Sequence, residues 1–200
     1  ATSLFVTRGV RKPRHIPQSY TNRNISRLAI PQRAFITSFN WKTAMTIIRE
    51  MVEEDIPSVA NVHRQAFSRQ RDSEKWITCN FRAAPRMQYY VAVHDSTIVG
   101  YIHWTQKSGF RPDVVLELEQ IAVLPKMQGR GVGHRLIDGS LPLIRGQLDE
   151  RGASLKAIIV TTRADNYAQR LYRDALGAEV ECTIKELYSA DEVIMIARNL

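Results

Sequence analysis

Cysteine is nearly missing from this 200-residue chain, which carries only Cys79 and Cys182, far apart in sequence. Two distant thiols make no disulfide framework, and no Cys/His spacing suggests zinc, so reduced thiols and a cytoplasmic location are expected. Long apolar runs are missing too: none approaches the roughly eighteen residues of a membrane span. Glycine is scarce, ten in all, yet three of the ten fall at positions 129, 131 and 133. Acidic residues are absent from the first 49 positions, which hold nine Lys and Arg.

That last absence locates the net charge of +8. The remaining nineteen basic residues face all twenty acidic ones, so the body of the chain is close to neutral. Basicity is then a property of the N-terminal stretch, with Pro13, Pro17 and Pro31 and no sustained period. The expected division is a basic, disordered extension over 1–44 and a folded domain over 45–200. Three readings of the extension stay open: translated sequence upstream of a natural start at Met45, a disordered arm, or an Arg- and Ser-rich targeting segment. A basic arm also raises a functional alternative, a non-catalytic nucleic-acid-binding protein that binds through it.

From Met45 onward the pattern is orderly. A strand is predicted at Thr46 to Met51, and a helix beyond Asp55-Ile56-Pro57 with Val59, Val62, His63, Ala66 and Phe67 on one face. A further helix is expected over Asp72 to Phe81. Tyr89 to His94 and Ile98 to Thr105 read as a hairpin around Asp95-Ser96-Thr97. The strand from Leu116 is followed by a helix to about Gly152, which Pro142 should kink or split near Gly139. Lys156 to Thr162 is a continuous apolar strand, Gly177 ends the Tyr167 helix, and Val180 to Leu187 with Val193 to Ala197 close the chain. The order is βααβββαβαββ.

The stretch Leu116 to Ile137 carries the chemistry. Its strand, with Glu117 and Glu119 before an apolar end, runs through Pro125 into Gln128, Gly129, Arg130, Gly131, Val132 and Gly133, and a helix opens there. Glycines let backbone amides converge on one point and let a bulky anion approach, and the helix N-terminus adds positive potential. Such a turn is a phosphate seat. It lacks the Lys-Ser/Thr of a Walker loop and the glycine frame of a dinucleotide fingerprint.

Together with a second segment, Asn166, Tyr167, Ala168, Leu171, Tyr172, Leu176, Gly177 and Ala178, this stretch resembles the acetyl-CoA motif and later helix of the GNAT superfamily of N-acetyltransferases. The resemblance implies an α/β fold: a mixed, mostly antiparallel sheet splayed between its fourth and fifth strands and flanked by helices. It implies acetyl-CoA as acetyl donor, no metal, and direct attack by a primary amine in a ternary complex. Gln128 to Gly133 would hold the pyrophosphate, Ile121, Ala122 and Val123 the pantetheine arm, and Asn166 would touch that arm. Arg130 and Arg135 would add charge at the phosphates. Glu117 or Glu119 would serve as base and Tyr172 as the acid for the departing thiolate. The partners implied are a small-molecule or protein amine acceptor, with neither membrane nor nucleic acid expected, and a homodimer is allowed. His63, His94, His103 and His134 read as structural or exposed. Aromatics from the Phe81 loop and the Trp104 strand are candidates to wall the acceptor pocket.

Overall fold

The computed structural model describes residues 45–198, so the expectations for 1–44 lie outside the described residues. The strands are β1 (Ile47–Glu50), β2 (Met87–His94), β3 (Thr97–Lys107), β4 (Asp113–Val123), β5 (Ser154–Arg163), β6 (Glu179–Ile184) and β7 (Glu192–Arg198). The helices are α1 (Ile56–Ala66), α2 (Ser73–Phe81), α3 (Val132–Glu150) and α4 (Gln169–Leu176). One seven-stranded sheet runs β1-β2-β3-β4-β5-β7-β6. Every neighbouring pair is antiparallel except β4 and β5.

Local chemistry explains the punctuation. Asp95 and Ser96 both adopt positive φ, 47° and 59°, the geometry of a two-residue hairpin turn whose twist matches its strands. At the start of α1, the Asp55 carboxylate accepts from the Val52 amide at 2.9 Å and pairs with Arg49 at 2.6 Å. Arg49 chiefly holds that carboxyl below its usual range, and the pair ties β1 to α1. His63 links the first two helices: its ring nitrogens lie 2.9 Å from Ser73 Oγ and 2.9 Å from Gln70 Oε1. Burial lowers its pKa, in keeping with a neutral structural imidazole.

Helix α3 lies across one face of the sheet and buries Val132, Leu136, Ile137, Leu141, Ile144 and Leu148 at three-and-four spacing. Gly139 lets it come close to β1, for a Cβ there would meet Ile48 at 2.8 Å. Pro142 does not split this helix as expected; α3 runs unbroken from Val132 to Glu150. Pro142 and Asp138 are both exposed, so the carbonyl that loses its intrahelical partner faces water, while the buried side of the helix stays packed.

On the opposite face, α1 packs over β3 and β4 and α2 over β2. The C-terminal half of the sheet is covered on one side. Ile158, Val160, Met195 and Ala197 are buried toward α3 and α4, while Ile159, Thr161, Ile194 and Ile196 on the other face stay partly exposed.

Candidate active site

Strands β4 and β5 pair from Asp113–Ser154 to Glu117–Ile159, and the ladder ends there. Beyond it β4 continues to Val123 and β5 to Arg163 without pairing, which opens a wedge between them. A bulge accompanies the opening: His103 pairs with Gln120 and Trp104 with Leu118, so Glu119 is the extra residue on β4. A bulge bends its strand and re-aims its side chains. Here it brings Glu117, Glu119 and Gln120 toward one face, and Leu118 and Ile121 toward α3.

At the top of the wedge the chain passes a short 3-10 turn, Pro125–Met127, and enters the glycine loop. Gly129 and Gly131 take φ of +71° and +75°, a region costly for residues with a Cβ. Gln128 braces the loop, donating from Nε2 to the Val123 carbonyl at 3.0 Å. Among the described residues, the amides of residues 129–134 make no hydrogen bond of ordinary geometry. Those donors, at the N-terminus of a nineteen-residue helix, suit a diphosphate, and the loop therefore fits the cofactor that the sequence implies. Arg130 and Arg135 are exposed beside it, with no salt bridge among the described residues.

Helix α4 flanks the wedge from the α3 side. Gly133 admits it, since a Cβ there would meet Leu171 Cδ2 at 3.0 Å. The buried residues of α4 are Tyr172 and Leu176, and burial pushes the Tyr172 hydroxyl up to about 12. Asn166 caps the approach to α4: its Oδ1 accepts from the Ala168 amide at 2.9 Å and its Nδ2 donates to Thr162 Oγ1 at 2.8 Å.

The two glutamates differ. Glu117 is held by Lys107 Nζ at 2.7 Å and by Thr161 Oγ1 at 3.3 Å. Glu119 stands exposed on the bulge and has no salt bridge among the described residues; partial desolvation first, and then the Glu117 charge, raise its carboxyl above the usual range, against Lys107 and Arg86.

The sequence profile of the acetyltransferase (GNAT) family matches residues 52–178, a span from the approach to α1 through the end of α4. The chain belongs to the GNAT acetyltransferase family. It is accordingly an acetyl-CoA-dependent N-acetyltransferase that acts on amine acceptors. No curated protein sequence matches it. Several solved GNAT structures share its fold. The ribosomal-protein-S18-alanine N-acetyltransferase of Escherichia coli is 20% identical, with 77% of this chain and 94% of that chain covered at a TM-score of 0.61. Ard1 of Thermoplasma volcanium is 23% identical, with 79% and 99% covered at 0.62. NAA60 of Arabidopsis thaliana, solved with acetyl-CoA, is 14% identical, with 78% and 99% covered at 0.62. At these identities the likeness is one of fold.

Within this GNAT domain the structure also reveals polar groups that the sequence did not single out. Asn80 Nδ2 on α2, Tyr89 OH on β2 and His103 Nδ1 on β3 are buried without hydrogen-bond partners among the described residues. The Tyr89 and His103 rings stack at 4.2 Å, and burial drives His103 down to about 3, so it is neutral throughout the working pH range. Gln120 Oε1 accepts from Tyr101 OH at 3.0 Å and from Trp76 Nε1 at 3.2 Å. Trp76, Tyr89, Tyr101 and His103 thus sit on the Glu119 side of the sheet. Trp104 does not wall this side: it is buried and donates to Ser140 on α3 at 3.0 Å. Residues adjacent on a strand face opposite ways, and the approach of α3 at Gly139 and Ser140 claims Trp104. Among the described residues no group of His, Cys, Asp and Glu is placed to hold a metal ion, and no helix is long and apolar enough to cross a membrane.

Proposed function

We propose that acetyl transfer in this chain proceeds by direct attack of a primary amine in a ternary complex, with Glu119 as base and Tyr172 as acid. Acetyl-CoA supplies the acetyl group as an activated thioester. The amides of residues 129–134 hold the pyrophosphate, assisted by Arg130 and Arg135, and the free edge of β4 at Ile121, Ala122 and Val123 holds the pantetheine arm. Asn166 steadies the approach to α4 against that arm.

An alkyl ammonium titrates near 10, so about one molecule in a thousand is free amine at pH 7 and a base is needed. Glu119 suits that role better than Glu117, because a carboxyl raised above its usual range and free of an ion pair among the described residues takes up a proton more readily. Glu117 acts through its charge, which lifts its neighbour. Tyr172, protonated at any ordinary pH, donates its hydroxyl proton to the departing sulfur.

The observation that carries the reading is the wedge between β4 and β5, with Glu119 bulged at its side and unpaired amides at its mouth. An acetyl-transfer assay against an amine panel, run on the wild type, Glu119→Gln and Glu117→Gln, tests it. The Glu119 variant should lose roughly a hundredfold in kcat and the Glu117 variant much less. A reversed order moves the base to Glu117.

A further inference from the structure

The carboxylates do not stand alone on their face of the sheet. Glu117 is the last β4 residue paired to β5, opposite Ile159, and Thr161 donates to it from the same face of β5. Cross-strand pairing continues that face outward: Ile159 lies beside Ile196 and Thr161 beside Ile194. Helices α1 and α2 sit over β2, β3 and β4, and these isoleucines remain partly exposed. A strip of apolar sheet therefore begins at the carboxylates and runs away from them across β5 and β7.

We propose that the acceptor is an amine carried on an apolar, extended body, with its ammonium at Glu119 and Glu117 and its apolar chain along Ile159, Thr161, Ile194 and Ile196. The charge complementarity and the continuity of the strip with the candidate base single out this occupant. A short diamine would set its second charge on isoleucine and lose hydration without a partner, because the next carboxylate on this face, Glu179, lies on β6 beyond Ile196. An amine with an aliphatic tail gains by covering the strip. This rests on the acetyl-transfer reading above.

The test uses the full chain, acetyl-CoA and a series of linear alkylamines from ethylamine to hexylamine, whose ammonium groups titrate alike, with spermine as the polycationic control. For the wild type, kcat/KM should rise about twofold per methylene, half the free energy of complete burial, and hexylamine should exceed spermine. Ile194→Ser should flatten the hexylamine-to-ethylamine ratio toward one, and Ile196→Ser provides a second variant at another partly exposed position. Retained acetyl-CoA affinity in calorimetry certifies that each variant is folded. A ratio near one in the wild type, or preference for spermine, overturns the proposal and leaves acetyl transfer standing. So does a dimer that Ile194→Ser dissociates in sedimentation with no dependence on chain length, since a second copy then covers the strip. If acetyl-CoA binds and no amine in the panel is acetylated, this inference falls while the donor site stands, and acetylation of an amine outside the panel then separates its failure from that of acetyl transfer.

Discussion

Lys107 Nζ sits 2.7 Å from the Glu117 carboxylate, and this contact sets Glu117 apart from Glu119, two positions further along β4. With Lys107 engaged, Glu117 is compensated while Glu119 keeps a raised carboxyl. Replacing Lys107 by Met removes one of the two cations that lower Glu119 and leaves Glu117 as an uncompensated negative neighbour. Both changes favour the protonated acid. The acid limb of the kcat/KM profile should therefore move to higher pH in Lys107→Met, measured as initial rates from pH 5 to 9. A limb that stays put or moves down contradicts Glu119 as the titrating group.

Gly131 takes φ +75° immediately before α3. Gly131→Ala has open space for its Cβ, so its cost is conformational, about 1–2 kcal/mol. Thermal unfolding should show that loss. Calorimetry should show acetyl-CoA affinity reduced by about tenfold, the equivalent of some 1.4 kcal/mol in amide geometry.

Tyr172→Phe should keep the fold, since the ring stays buried and no hydrogen bond of its hydroxyl to another described residue is lost. Turnover should drop about a hundredfold while acetyl-CoA affinity changes little, the signature of a group acting on the departing sulfur. Because burial pushes this hydroxyl up to about 12, it stays protonated, and no loss of rate below pH 10 should trace to its titration.

His103 tests burial itself. The unfolded chain protonates this imidazole below about 6.5, and the folded one refuses the proton until about 3. Stability must fall as pH drops through that window, by up to about 1.4 kcal/mol per pH unit from this residue. His103→Phe, which keeps a ring against Tyr89, should remove that part of the slope in urea unfolding measured between pH 6 and pH 4. His63, also lowered by burial, contributes in the same direction and retains its share.

Much of the candidate site's backbone was legible because its requirements are local. Gly129 and Gly131 are glycines for a backbone reason, and the apolar run after Glu119 had to be a covered strand, so the loop and the β4 edge could be read from order and spacing. The resemblance supplied the splay between β4 and β5. What stayed hidden depends on contacts between distant segments. Nothing near His103 in sequence announces that Tyr89 will stack on it. The division between Glu117 and Glu119 needs Lys107, ten positions away on the neighbouring strand. Trp104 belongs to α3 only because Gly139 and Ser140 bring that helix close. Pro142 misled for the complementary reason: its penalty depends on which side of the helix it occupies, and its side faces solvent.

The ladder between β4 and β5 is five residue pairs long, and among the described residues it is the sheet's sole link across that boundary. Past it the two strands present facing rows of backbone groups with no rungs between them, so the sheet resembles a zipper left half undone. Anything slender enough to lie in that gap and offer hydrogen bonds to either side would fasten the two halves together. The same opening that we propose for the donor substrate would thus make rigidity of the domain depend on whether the seat is taken.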